Sequence, residues 1–131
     1  MKTHILKSLL LGFILFMSCS KEDVSDVSAL ATADNKKLEA LGKEIEEFAK
    51  NKACTGVDNC RSMAMGSKAC GGPTSYIIYS LSKTDEKQLA EKVKQYTDLQ
   101  KELNLKYYII SDCRLLIPPT LDCVNGVCTS K

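Results

Sequence analysis

The sequence predicts an α+β domain, with two amphipathic helices packed on a small, mainly antiparallel sheet and three disulfides cross-linking it. Three observations carry this expectation. Apolar residues recur at helical steps in two charge-rich segments, short Tyr- and Ile-rich runs alternate with them, and seven cysteines fall within 131 residues. A chain of this length suits one small domain, and a domain that small gains much of its stability from covalent cross-links.

Asp34 or Asn35 can cap a first helix, after which Leu38, Leu41, Ile45 and Phe48 form one apolar stripe running to about Asn51. Its remaining faces carry Lys and Glu, as a solvated surface does. The stretch from Cys54 to Pro73, CTGVDNCRSMAMGSKACGGP, is rich in Cys and Gly and reads as a stapled loop. Gly71 and Gly72 allow backbone angles other residues resist, and Pro73 then directs the chain into an extended path. SYIIYS, residues 75–80, follows as a strand expected to be covered on both faces. A second helix is expected to start near Ser82 or Thr84, with Leu89, Val93, Tyr96, Leu99 and Leu103 as its stripe and Asn104 as its stop. KYYII, residues 106–110, reads as another strand, and LDCVNGVCT places a hairpin turn at Asn125-Gly126.

Composition removes several chemistries. The formal charge is +2, but removing Lys2 and Lys7 with the leader leaves sixteen basic side chains against sixteen acidic ones. No basic nucleic-acid surface is therefore expected. The single histidine, His4, lies in the same leader, so the mature chain would have no imidazole for a catalytic triad, a general base or a zinc site. No CxxC pair is present, which argues against a zinc knuckle or a thioredoxin-like motif. No cofactor and no metal are expected.

Residues 1–18 read as a signal peptide, with Lys2, His4 and Lys7 ahead of the apolar run LLLGFILFM. That run is too short to span a bilayer, which takes about 20 residues. The residues before Cys19 resemble the lipobox of bacterial lipoproteins, although Phe16 and Met17 depart from its commoner residues. The resemblance implies cleavage before Cys19 and acylation of that residue, and two or three acyl chains hold a protein firmly in a membrane. Ser20 after the lipidated Cys resembles an outer-membrane sorting signal, and Lys21-Glu22-Asp23 resembles the surface-export signal of Bacteroidota lipoproteins. These imply an outer-membrane, lipid-anchored location with display on the outer face. Residues 19–33 then read as a flexible tether, and residues 34–131 as the folded domain.

Setting Cys19 aside leaves Cys54, Cys60, Cys70, Cys113, Cys123 and Cys128, an even number in an exported domain. Six cysteines allow about 15 pairings, so spacing alone does not fix them. A two-residue turn at Asn125-Gly126 sets Cys123 opposite Cys128, close enough to bridge. Elimination then pairs Cys54 with Cys60 and Cys70 with Cys113.

From Cys54 onward the spaced cysteines, Cys70-Gly71-Gly72-Pro73, Tyr76, Ser80, Ser111-x-Cys113, Pro119, Cys123, Gly126 and Cys128 resemble a family of small secreted or lipid-anchored six-cysteine bacterial proteins. The resemblance implies a shared cross-linked fold and supplies no activity. The expected function is a non-catalytic binding module at the envelope surface, an inhibitor of a secreted hydrolase being one such role, with a protein or glycan partner. Arg61, Met63, Met65 and Lys68 are the candidate partner-binding residues, against the plainer reading that both methionines fill the core. Two alternatives stand beside it: an envelope hydrolase working through carboxylates such as Asp58 or Asp112, and a purely structural envelope component.

Overall fold

The computed structural model describes residues 22–131, with side chains from Ser28 onward. The expected signal peptide and the lipidation site Cys19 lie outside the described residues. The element order is α1 (Glu22–Phe48), a short 3-10 turn (Val57–Asn59), β1 (Cys60–Met65), β2 (Ser75–Ser80), α2 (Glu86–Lys106), β3 (Leu121–Val124) and β4 (Val127–Ser130). The fold is α+β, built on two antiparallel two-stranded sheets, β1-β2 and β3-β4.

Helix α1 begins well before the expected cap, inside the stretch read as a tether. Ala29, Ala31 and Ala33, good helix formers, carry the helix through this stretch. Asp34 has a different task. Its carboxylate accepts from Lys106 Nζ at 2.7 Å and from Tyr107 Oη at 2.8 Å, joining the middle of α1 to the end of α2.

Helix α2 is capped by Asp85, whose side chain accepts from the Gln88 N–H. Its stripe is buried as expected at Leu89, Val93 and Leu103. The helix passes the expected stop at Asn104, whose side-chain amide donates to Ser67 O at 2.7 Å.

The expected strand over residues 106–110 does not form. Tyr108 N–H donates to Leu105 O, Ile109 N–H donates to Asn104 O, and Tyr108 takes a left-handed φ of 49°. This is a Schellman helix end in which a tyrosine occupies the place usually given to glycine. The helix termination uses the backbone groups that a strand would need.

In β1-β2, Met63 pairs with Ile77 and Arg61 with Tyr79, so Met63, Met65, Ile77 and Tyr79 share the face turned to the helices. They close a core with Ile45, Ala49, Leu89 and Val93. Tyr79 is buried, its hydroxyl donating to Glu86 Oε1 at 2.5 Å, and burial pushes its phenol well above the usual range. On the opposite face Cys60 and Ser80 are buried, and Ser80 Oγ donates to Ala53 O at 2.6 Å.

The C-terminal hairpin packs at this end. Asn125 and Gly126 both have positive φ, as the tight turn requires, and Cys123 lies opposite Cys128. The two nevertheless do not bridge each other. Cys54 bonds Cys123, and Cys60 bonds Cys128, which corrects the expected Cys123–Cys128 and Cys54–Cys60 pairs. The reason lies in a tertiary contact. Cys54 N–H donates to Gly126 O and Cys128 N–H to Lys52 O, so residues 52–54 pair with the outer edge of β4 and present Cys54 to the hairpin.

Candidate functional site

The Gly66–Pro73 loop is set on α2 by a polar row at helical spacing. Gly66 N–H donates to Thr97 Oγ1 at 3.0 Å, Ser67 N–H to Gln100 Oε1 at 2.7 Å, and Asn104 holds Ser67 O. Gly66 has φ +80°, and a Cβ there would lie 1.9 Å from Thr74 Oγ1. Only glycine fits this junction. Beyond it, Lys68 N–H donates to Gly72 O and Gly71 N–H to Lys68 O, closing the turn through Cys70.

Lys68 joins this loop to the segment after α2. Its ammonium donates to Asp112 Oδ1 and to Arg114 O, both at 2.8 Å, with its side chain only 14% exposed. Hydrogen bonds from Lys68 and Arg114 hold the Asp112 carboxyl below the usual carboxylate range. That pairing makes Asp112 a poor proton donor near neutral pH.

Between the loop, the last turns of α2 and the segment after it lies a groove of about 810 Å³. Lys68, Gly72, Asn104, Leu105, Tyr108 and Ile110 are among its lining residues, with Asp98 and Lys101 on it as well. The apolar surface is open: Tyr108 is 90% and Ile110 93% exposed, and Leu115 and Ile117 continue it along the chain. Among the described residues, no backbone N–H from Ile110 to Ile117 donates to a backbone carbonyl.

The expected partner-binding residues separate. Met65 is 8% exposed in the core and Met63 packs against it, so the methionines take the core-filling role. Arg61 is exposed but donates to Asp58 O and Cys60 O beside it. Only Lys68 reaches the groove. The Thr97, Gln100 and Asn104 row is present in the sequence as a three- and four-residue spacing, a polar signal beside the stronger apolar stripe of α2.

Cys70 and Cys113 are free, exposed thiols. They nonetheless lie on neighbouring segments, Cys70 packing against the two residues before Cys113. Cys70 Sγ also lies 3.4 Å from Ser111 Oγ and 3.2 Å from Asp112 O. Cys54, Cys60 and Cys128 offer three sulfurs within 4.8 Å of one another, but all are consumed in the two disulfides and offer no thiolate to a metal. No described helix is long and apolar enough to cross a membrane. No known family model matches the sequence, and no curated protein or solved structure matches it either.

Proposed function

We propose that the protein is an outer-membrane lipoprotein, anchored through Cys19, whose domain binds an extended apolar polypeptide segment in the groove without turning it over. The groove beside the Gly-rich loop carries this reading. Its apolar side chains, Leu105, Tyr108, Ile109 and Ile110, are left open to solvent, whereas Met63 and Met65 are not. The free N–H groups of the 110–117 segment suit the main chain of an extended peptide. Charges of both signs, Asp98 and Lys101, line the groove, which favours a polypeptide over an anionic lipid surface.

Tyr108 strengthens the reading. It holds a left-handed conformation that costs a tyrosine about 1 kcal/mol, and its ring projects into solvent. Such a residue contributes little to the fold and is well placed to stack on a ligand.

The test uses the lipidated protein in nanodiscs and a fluorescent ten-residue apolar peptide, with empty nanodiscs as background. Saturable binding should be lost in Tyr108→Gly and Ile110→Ser while the melting temperature does not fall. Peptide binding that survives both substitutions would sink the proposal. So would a patch that, blind to peptide, holds only bare vesicles or a second copy of the chain.

A further inference from the structure

We propose that Cys70 and Cys113 form a thiol–disulfide exchange couple whose substrate is a disulfide, with Cys70 as the attacking sulfur and Cys113 as the resolving one. This stands independently of what occupies the groove. The Cys60–Cys128 bridge and these two cysteines differ sharply in access, with Cys54 and Cys123 half-buried between them. Cys60 and Cys128 are each 2% exposed, while Cys70 and Cys113 face solvent on neighbouring segments held together by Lys68.

The surroundings distinguish the two sulfurs. Asp112 O, 3.2 Å from Cys70 Sγ, accepts from the thiol, while the Cys113 thiol, Ser111 Oγ and the Lys68 ammonium favour the thiolate, the Cys113 contact most. Cys113 sits beside Cys70 and Asp112, with Lys68 opposing them, and retains its proton. Thiolate character and exposure together define a reactive cysteine.

In the first step the Cys70 thiolate attacks a substrate disulfide R–S–S–R, forming Cys70–S–S–R and releasing RS⁻. Cys113 gives its proton to that leaving thiolate and its sulfur attacks Cys70, releasing the second RS⁻ as the Cys70–Cys113 bond forms. The two protein sulfurs are oxidised to a disulfide and the substrate disulfide is reduced to one thiol, protonated by Cys113, and one thiolate, which takes its proton from water. The product is the third bridge expected from the sequence, strapping the segment after α2 to the Gly-rich loop.

The experiment takes the mature protein with Cys70 and Cys113 reduced, adds oxidised glutathione, quenches with acid and maps the products by mass spectrometry. The wild type should lose two hydrogens and yield a Cys70–Cys113 cross-linked peptide, with both inner disulfides intact. Cys113→Ser should stop at a glutathione adduct on Cys70, and Cys70→Ser should form no internal cross-link and stop at an adduct on Cys113. A second arm offers a cystine-linked apolar peptide dimer. A faster reaction there points to protein disulfides as the substrate, and a slower one to small disulfides. Limited iodoacetamide labelling of unaltered protein should modify Cys70 ahead of Cys113, a readout that needs no variant to fold. Equal labelling of the two, glutathione left on wild-type Cys70, or opening of an inner bridge in the same step would overturn the assignment.

Discussion

The two ends of β1 are held by opposite means. At Cys60 the chain meets the C-terminal hairpin through two buried or half-buried disulfides with sequence separations of 68 and 69. At Met65 it runs into a glycine loop fixed by single hydrogen bonds to α2 and by one lysine clamp. Cross-links between such distant residues restrict the unfolded chain strongly, the first by about 4 kcal/mol on loop-entropy grounds and the second, closing a shorter ring, by less. Hydrogen bonds at an exposed loop contribute about 1 kcal/mol each. The contrast teaches that the rigid end is the scaffold, while the lightly held end keeps the open groove and the accessible thiols.

The largest test of that contrast removes sulfur from each end in turn. The double change Cys60→Ser with Cys128→Ser should cost about 2–5 kcal/mol in denaturant unfolding. The corresponding Cys70→Ser with Cys113→Ser pair, compared with wild type reduced only at Cys70 and Cys113, should stay within about 0.5 kcal/mol. Similar losses at both ends would erase the distinction.

Next comes Gly66→Ala, at the junction of the two regions. Its φ of +80° and the 1.9 Å approach to Thr74 Oγ1 leave no room for a methyl group, so a loss of about 1–3 kcal/mol is expected by calorimetry. Gly71→Ala, where no atom lies within 4 Å of the added carbon, should lose less.

Tyr108→Gly should move stability the other way. Relaxing the left-handed residue at the end of α2 should raise stability by up to about 1 kcal/mol while removing a groove side chain. A destabilised variant would mean that the Tyr108 ring supports the fold.

The smallest effect concerns Asp34, which ties the groove end of α2 to α1. Hydrogen bonds from Lys106 and Tyr107 hold its carboxyl below the ordinary value of 3.8. A depressed carboxyl stabilises the fold above its unfolded-state pKa and loses that contribution as pH falls through the folded-state value. Melting curves of wild type and Asp34→Asn should therefore differ slightly at pH 7 and converge in acid once the pH has fallen through the lowered folded-state value. A gap that persists there would assign the link to packing.

Much of the fold was legible locally. The stripe Leu89, Val93 and Leu103 gave α2 because a helix repeats its faces every few residues, and Asn125-Gly126 gave the hairpin because few other pairs accept two positive φ angles. The groove was not legible. Apart from Leu105, its exposed apolar residues lie in KYYII, whose β propensity is overridden by helix termination at Tyr107 and Tyr108. The plainer reading of the methionines holds, because Met63 and Met65, two residues apart on β1, share the face turned to the core.

By itself the sequence determined that two helices and an antiparallel hairpin would share an α+β domain, because periodicity and turn chemistry act over a few neighbouring residues. Only the tertiary structure decided which sulfurs meet. Cys54 and Cys60 reach Cys123 and Cys128 because the chain before β1 lies along the edge of β4, a proximity set by packing between segments nearly seventy residues apart.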